Sequence, residues 1–171
     1  MQLYLKVIAF ASIITRMKDR KPDVAQSSST WALFLTVHSV LVGKMESELK
    51  TANLPSLEWY DVLWALERAP GHRLRMHELA HLVVLSRSNL TRLVDRLENA
   101  KLVEREPSVD DKRGAYCVLK PAGSTLRKKM WPIYEKCIFD LFNEHISEKE
   151  DAVLSTSLGR ILVAARAEKG D

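Results

Sequence analysis

Leu85-Ser86-Arg87-Ser88-Asn89-Leu90-Thr91-Arg92-Leu93-Val94-Asp95-Arg96-Leu97-Glu98 reads as one amphipathic helix, and its two faces decide the fold. Leu90, Leu93, Val94 and Leu97 recur at spacings of 3, 4 and 7 and make a single apolar stripe. Arg87, Ser88, Thr91, Arg92, Asp95 and Arg96 fall off that stripe and face outward. Ser86 suits the N-cap, where its hydroxyl accepts from a free backbone N–H of the first turn. Upstream lies a second short amphipathic stretch, Met76-His77-Glu78-Leu79-Ala80-His81-Leu82-Val83. Leu79, Val83, Leu85, Leu90 and Leu93 fall where two helices crossing at roughly 90–120° interdigitate. Ala80 sits where they come closest.

Downstream, Lys101-Leu102-Val103-Glu104-Arg105-Glu106 and Ala115-Tyr116-Cys117-Val118-Leu119 alternate as two short strands. The tip between them, Pro107-Ser108-Val109-Asp110-Asp111-Lys112-Arg113-Gly114, is charged and ends in a glycine free to take φ > 0. Two crossed helices followed by a hairpin are the parts of a winged helix-turn-helix, which lays its second helix in a DNA major groove. The outward residue types fit that use. Arg pairs bidentately with guanine, Asn with adenine, and Ser or Thr with bases or phosphates, while a helix N-terminus favours a phosphate. Only Asp95 and Glu98 oppose the three arginines of this helix. At the tip, Asp111 is placed to orient Arg113 toward a narrow, electronegative minor groove.

These segments, with Leu102-Val103-Glu104-Arg105, Asp111-Lys112-Arg113-Gly114 and Val118-Leu119, closely resemble the MarR family of bacterial transcription regulators. The similarity runs more loosely from about Trp31 to about Ala165. The resemblance implies a homodimeric winged-helix repressor released from DNA by small phenolic or other aromatic ligands. It places Arg87, Ser88, Asn89, Thr91 and Arg92 at the major groove and matches Asp111 and Arg113 to the wing; Ser86 and Arg96 of the same helix and Lys112 of the tip are further expected contacts. It also implies an effector pocket for which Trp31, His38, Trp59 and Tyr60 are candidate lining residues. Two positions depart from the family pattern, Val84 and Lys101 standing where glycine is usual. A left-handed cap at a non-glycine residue costs roughly 1 kcal/mol or more, so Asn99 or an altered turn is expected to take over from Lys101.

The whole chain of 171 residues carries a net charge of only +4, but the charge is unevenly spread. Residues 68–131 hold 14 Lys and Arg against 7 Asp and Glu, a balance of +7, whereas the remainder holds 12 against 15, a balance of −3. The basic excess therefore sits in the nucleic-acid-binding segment. Cys117 and Cys137 form neither a disulfide framework nor a metal spacing and read as small buried thiols. His77 and His81 are four apart, but no further ligands lie nearby, so no metal and no cofactor are expected.

Outside the central segment, Trp31, Phe34, Leu35, His38, Leu41, Val42, Met45 and Leu49 form an apolar stripe on a helix from about Thr30 to Lys50. Ser56 caps a helix bearing Leu57, Trp59, Tyr60, Val62, Leu63, Trp64 and Leu66. Pro121 opens a long helix, where its missing N–H costs nothing. Ser147-Glu148-Lys149-Glu150 is a capping box opening a helix to about Ala165, with Val153, Leu154, Leu158, Ile161 and Leu162 on its inner face. The wing lacks the surface to cover all these helices, and a two-fold dimer would bury the rest. The apolar stretch at residues 3–14 is interrupted by Lys6, is too short to span a bilayer and lacks a basic flank. It reads as an extra helix or tail, and Pro22 to Ser29 as linker.

The fold expected is mainly α with a small β-wing: a winged helix-turn-helix plus dimerisation helices from both chain ends. Residues 1–29 form an N-terminal extension and linker, 30–55 and 121–168 the helical dimerisation region, and 56–120 the DNA-binding domain. The function expected is a cytoplasmic, nucleoid-associated regulator binding double-stranded DNA at a pseudo-palindromic operator, with no membrane partner. Two alternatives belong to other classes. A winged-helix adaptor without DNA binding would have little use for Arg87, Arg92 and Arg113. A small enzyme acting on aromatic substrates would need a nucleophile–base set, and none is visible.

Overall fold

A computed structural model of the chain describes residues 24–83, 87–107 and 114–167. Helix α1 (Val24–Thr51) is followed by α2 (Leu57–Arg68), strand β1 (Arg73–Arg75), α3 (Met76–Leu82), α4 (Arg87–Asn99), β2 (Val103–Pro107), β3 (Ala115–Leu119), α5 (Pro121–Leu141) and α6 (Glu148–Ala167). The chain forms two compact units that divide between Val42 and Gly43. The expected class holds: a helical protein with one small antiparallel sheet. Among the described residues no helix is long and apolar enough to cross a membrane.

The winged core is built from the stripes read in the sequence. Val62, Leu63 and Leu66 of α2, Leu79 and Val83 around α3, and Leu90, Leu93, Val94 and Leu97 of α4 close on one another. Leu102, Val103 and Cys117 of the hairpin complete the cluster. Burying each such side chain is worth roughly 1.5–3 kcal/mol, so the stripes set how these helices are turned. A smaller cluster of Leu49, Tyr60 and Met130 joins the end of α1 to α2 and α5. The α5 helix comes unusually close to the hairpin at Gly123. A Cβ there would overlap the Leu102 carbonyl oxygen and stand 2.8 Å from Leu119 Cδ1.

The sheet has the order β1-β3-β2. Val103 to Pro107 pair antiparallel with Leu119 to Ala115. Arg73, Leu74 and Arg75 pair with Val118, Cys117 and Tyr116, adding a third strand that the sequence reading did not foresee. Three residues are too few for an alternation signal. Only the partner strand reveals β1.

Helix ends confirm some expectations and correct others. The capping box at Ser147 is formed: its N–H and hydroxyl donate to Glu150 Oε2 at 2.9 and 2.7 Å, and the Glu150 N–H returns to its hydroxyl. Pro121 occupies the first turn of α5 as expected. The α1 helix starts at Val24, so the stretch read as linker is helical from there on; adding turns to an existing helix is far easier than nucleating one. Ser56 holds the N-cap backbone position of α2, but its side chain makes no cap hydrogen bond. Instead the Leu57 N–H donates to Glu46 Oε1 of α1 at 2.8 Å.

At the end of α4, Lys101 itself adopts the left-handed conformation (φ 61°), contrary to the expectation that Asn99 or another turn would replace it. The Leu102 N–H reaches the Leu97 carbonyl at 3.0 Å and the Lys101 N–H reaches Glu98 at 2.8 Å, the paired bonds of a Schellman cap. Burial of Leu102 against Leu97 holds the turn in place despite the missing glycine. Asn53 (φ 55°) closes α1 in the same way, with Leu54 bonded back to Leu49. Lys101→Gly should therefore stabilise the protein by about 1 kcal/mol, read as a higher urea midpoint with an unchanged slope; no gain would mean that the turn carries no strain.

Candidate nucleic-acid interface

Leu93, Val94 and Leu97 of α4 are fully buried and Leu90 is 1% exposed. Ser88, Asn89, Thr91, Arg92, Asp95 and Arg96 are exposed, as the stripe requires. Among the sequence-predicted contact residues, the structure thus brings Ser88, Asn89, Thr91, Arg92 and Arg96 onto one outward face. Asn89, Arg92, Asp95 and Arg96 share an open depression with Glu58 of α2. The Arg96 guanidinium lies 3.7 Å from the Glu58 carboxylate, both about half exposed, so this cation already has a partner within the protein. Ser86, the Arg87 side chain and the wing residues Asp111, Lys112 and Arg113 lie outside the described residues.

Asp95 and Glu98, the two carboxylates expected to oppose the arginines of α4, are both taken by Arg105 of β2. Sequence reasoning did not single out Arg105, which looks like one more alternating strand residue. Burial alone would lower its pKa, but Asp95 and Glu98 outweigh that and raise it, so the guanidinium stays charged.

Behind the hairpin tip, the outer face of the sheet is crossed by cations and an aromatic ring. The Arg73 guanidinium lies 4.0 Å over the Tyr116 ring, and Arg75 Nε donates to the Tyr116 hydroxyl at 3.1 Å. Arg73 also pairs with Glu106 at 3.3 Å, and Lys120 with Glu104 at 2.9 Å, so the four acidic and basic groups cancel. With Arg75 counted, three cations stand against two carboxylates on this face.

The four candidate pocket residues have different settings. Tyr60 is buried, with the Tyr134 ring edge-on at 5.0 Å and Trp131 stacked at 6.1 Å. Trp59, beside it in α2, packs instead on the winged core. Trp31 and His38 are exposed on α1, with Trp31 stacked on Phe34 at 5.9 Å. Trp131 and Tyr134 of α5 were missed, because an aromatic pair within a long helix gives no sign of which helix it will face. Beside them, Glu67 binds Arg127 Nε at 2.5 Å and accepts from the Ser124 hydroxyl at 2.6 Å, pinning α2 to α5.

The winged helix-turn-helix described here defines the class of the protein. The family model for MarR matches residues 53–114. AbsC, a MarR family transcriptional regulator from Streptomyces coelicolor, superposes with a TM-score of 0.77 at 28% identity, covering 87% of this chain and 99% of its own. A second S. coelicolor MarR family regulator, solved in complex with DNA, shares the fold with a TM-score of 0.74 at 23% identity over 90% of this chain and 94% of its own. The Escherichia coli transcriptional repressor MprA is 28% identical over 89 residues, 52% of this chain and 51% of that protein. The matched region thus spans about half the length of that curated relative. The chain is similar to MarR family regulators over these regions.

One group near the aromatic trio gives the fold a pH dependence. The Asp61 carboxyl is pushed up to about 6 from an ordinary 3.8, by burial first and by Glu58 and Glu46 next. A carboxyl whose pKa is higher in the folded than in the unfolded state favours folding when protonated, so stability rises as pH falls from about 6 toward 4. The residue as a whole remains exposed, so solvent screens the effect and only its direction is expected. Asp61→Asn should stabilise the protein at pH 7 and flatten the urea midpoint between pH 4.5 and 7; an unchanged profile would remove the carboxyl from this role.

Proposed function

We propose that this protein is a homodimeric transcription regulator that binds double-stranded DNA sequence-specifically at a pseudo-palindromic operator and acts as a ligand-responsive repressor. The observation that carries the reading is the outward face of α4. Its apolar side is wholly buried, its two carboxylates are engaged by Arg105, and Asn89 and Arg92 stand exposed beside Ser88 and Thr91. These are side chains that read base edges and phosphates. Arg87 and the wing's Asp111, Lys112 and Arg113 complete the contact set in this reading. The DNA complex solved for a relative of the same fold supports it.

Two apolar surfaces support the dimer. On α6, Val153, Leu154, Leu158, Ile161 and Leu162 are 39–65% exposed. On α1, Trp31, Phe34 and Leu35 are 44–60% exposed. Contiguous apolar faces of this kind on a soluble chain mark interaction surfaces, and a second copy with the same faces would cover them isologously. Such a pair would set two α4 helices about one DNA turn, or 34–36 Å, apart. The effector in this reading is a small aromatic or phenolic molecule, favoured by the aromatic residues around Tyr60, and its differential affinity would shift the dimer away from the DNA-binding spacing. The protein then works in the cytoplasm, at the nucleoid.

Binding to the DNA upstream of its own gene, followed by fluorescence anisotropy, should weaken steeply with salt as phosphate contacts release counterions. Arg92→Ala should cost about 1–3 kcal/mol at one base position; an equal loss on all sequences would make Arg92 a phosphate contact, and a flat salt response would favour a protein adaptor. Leu158→Glu should yield monomers by sedimentation and lose operator affinity with the winged core intact. A dimer surviving that change would place the two-fold contact elsewhere.

A further inference from the structure

Arg105 stands where α4 meets the root of the hairpin, and it binds three successive points along that helix. Its Nη1 lies 2.5 Å from Glu98 Oε2, and its Nη2 lies 2.5 Å from Asp95 Oδ1. The same Nη2 donates to the Thr91 carbonyl at 3.3 Å, and the Arg105 backbone N–H donates to Glu98 Oε1 at 2.9 Å. Thr91, Asp95 and Glu98 follow at spacings of four and three, one line down the side of α4. Only 27% of the Arg105 side chain is exposed, so the fork is held between helix and strand. A planar guanidinium serves the two carboxylates and the carbonyl from two separate nitrogens in a fixed fork, whereas an ammonium must reach all three from one point.

We infer that Arg105 is a positioning residue for DNA binding: it cancels the two carboxylates of α4 and locks that helix to the strand leading into the wing. The inference rests on the DNA-binding reading above. Its first ground is charge. Asp95 lines the same open depression as Asn89, Arg92 and Arg96, so an uncompensated carboxylate there would meet the phosphates that those side chains are placed to approach. Within α4, three arginines face two carboxylates, and Arg105 turns a nearly balanced helix into a cationic one. Its second ground is geometry. β2 runs from Val103 beside the end of α4 to Pro107 at the start of the tip, so a tie at Arg105 makes helix and wing root one body.

The test compares Arg105→Gln, Asp95→Asn/Glu98→Gln and the triple variant on the upstream DNA across a salt series, with thermal melts as fold controls. Arg105→Gln should weaken binding by about tenfold or more, because it leaves two charges without their partner. The triple variant should regain most of that loss, with a salt slope close to wild type. Binding by Arg105→Gln equal to wild type overturns the inference, and so does a triple variant as weak as the single one. A slope reduced by about 0.9 in both variants would make Arg105 a direct phosphate contact and also overturns it. If Arg105→Gln does not fold, Arg105→Lys replaces it. That variant should bind more weakly than wild type and be rescued by Asp95→Asn, and wild-type affinity in Arg105→Lys is the overturning result. Failure of the wild-type protein to bind any upstream fragment rejects the DNA-binding reading itself, and the positioning role with it. Wild-type binding with indifferent variants rejects the positioning role alone.

Discussion

Burial of Leu90, Leu93, Val94 and Leu97 holds α4 at one rotation about its axis, and the outward face follows from that. Four such side chains are worth roughly 6–12 kcal/mol, whereas the exposed ion pair between Arg96 and Glu58 contributes about 1 kcal/mol at most. The apolar stripe therefore decides which residues can meet a partner. The polar contacts refine a surface already chosen. Turning the helix by one residue would bury Asp95 or Arg92 in a cluster that has no partner for either.

The same economy shapes the neighbouring elements. Leu102 buried against Leu97 pulls the chain into the left-handed turn at Lys101, and the hairpin starts from that turn. Gly123 lets α5 approach the Leu102 carbonyl closely, so the long helix leaves the wing at a defined place. Glu67 and Arg127 then tie α5 back to α2 beside Tyr60, Trp131 and Tyr134. A chain of close contacts thus runs from the aromatic trio through α2 to α4.

The apolar faces of α1 and α6 obey the opposite logic. They have the helical spacing of core residues, yet they stay open in one copy of the chain. An apolar stripe says that a face will be covered. It does not say by what.

The sequence by itself determined the helices of the winged lobe, the direction of the α4 stripe, the two-stranded hairpin and the capping box at Ser147, because each is written in local spacing and in residues a few positions apart. Only the tertiary structure decided the rest: that β1 exists, that Glu46 and not the Ser56 side chain meets the first turn of α2, that Lys101 accepts the left-handed turn, and that Arg105 claims Asp95 and Glu98. Each of these depends on which residues distant in the chain come to lie side by side. No periodicity records that meeting, because its energy belongs to the pair and to neither segment alone.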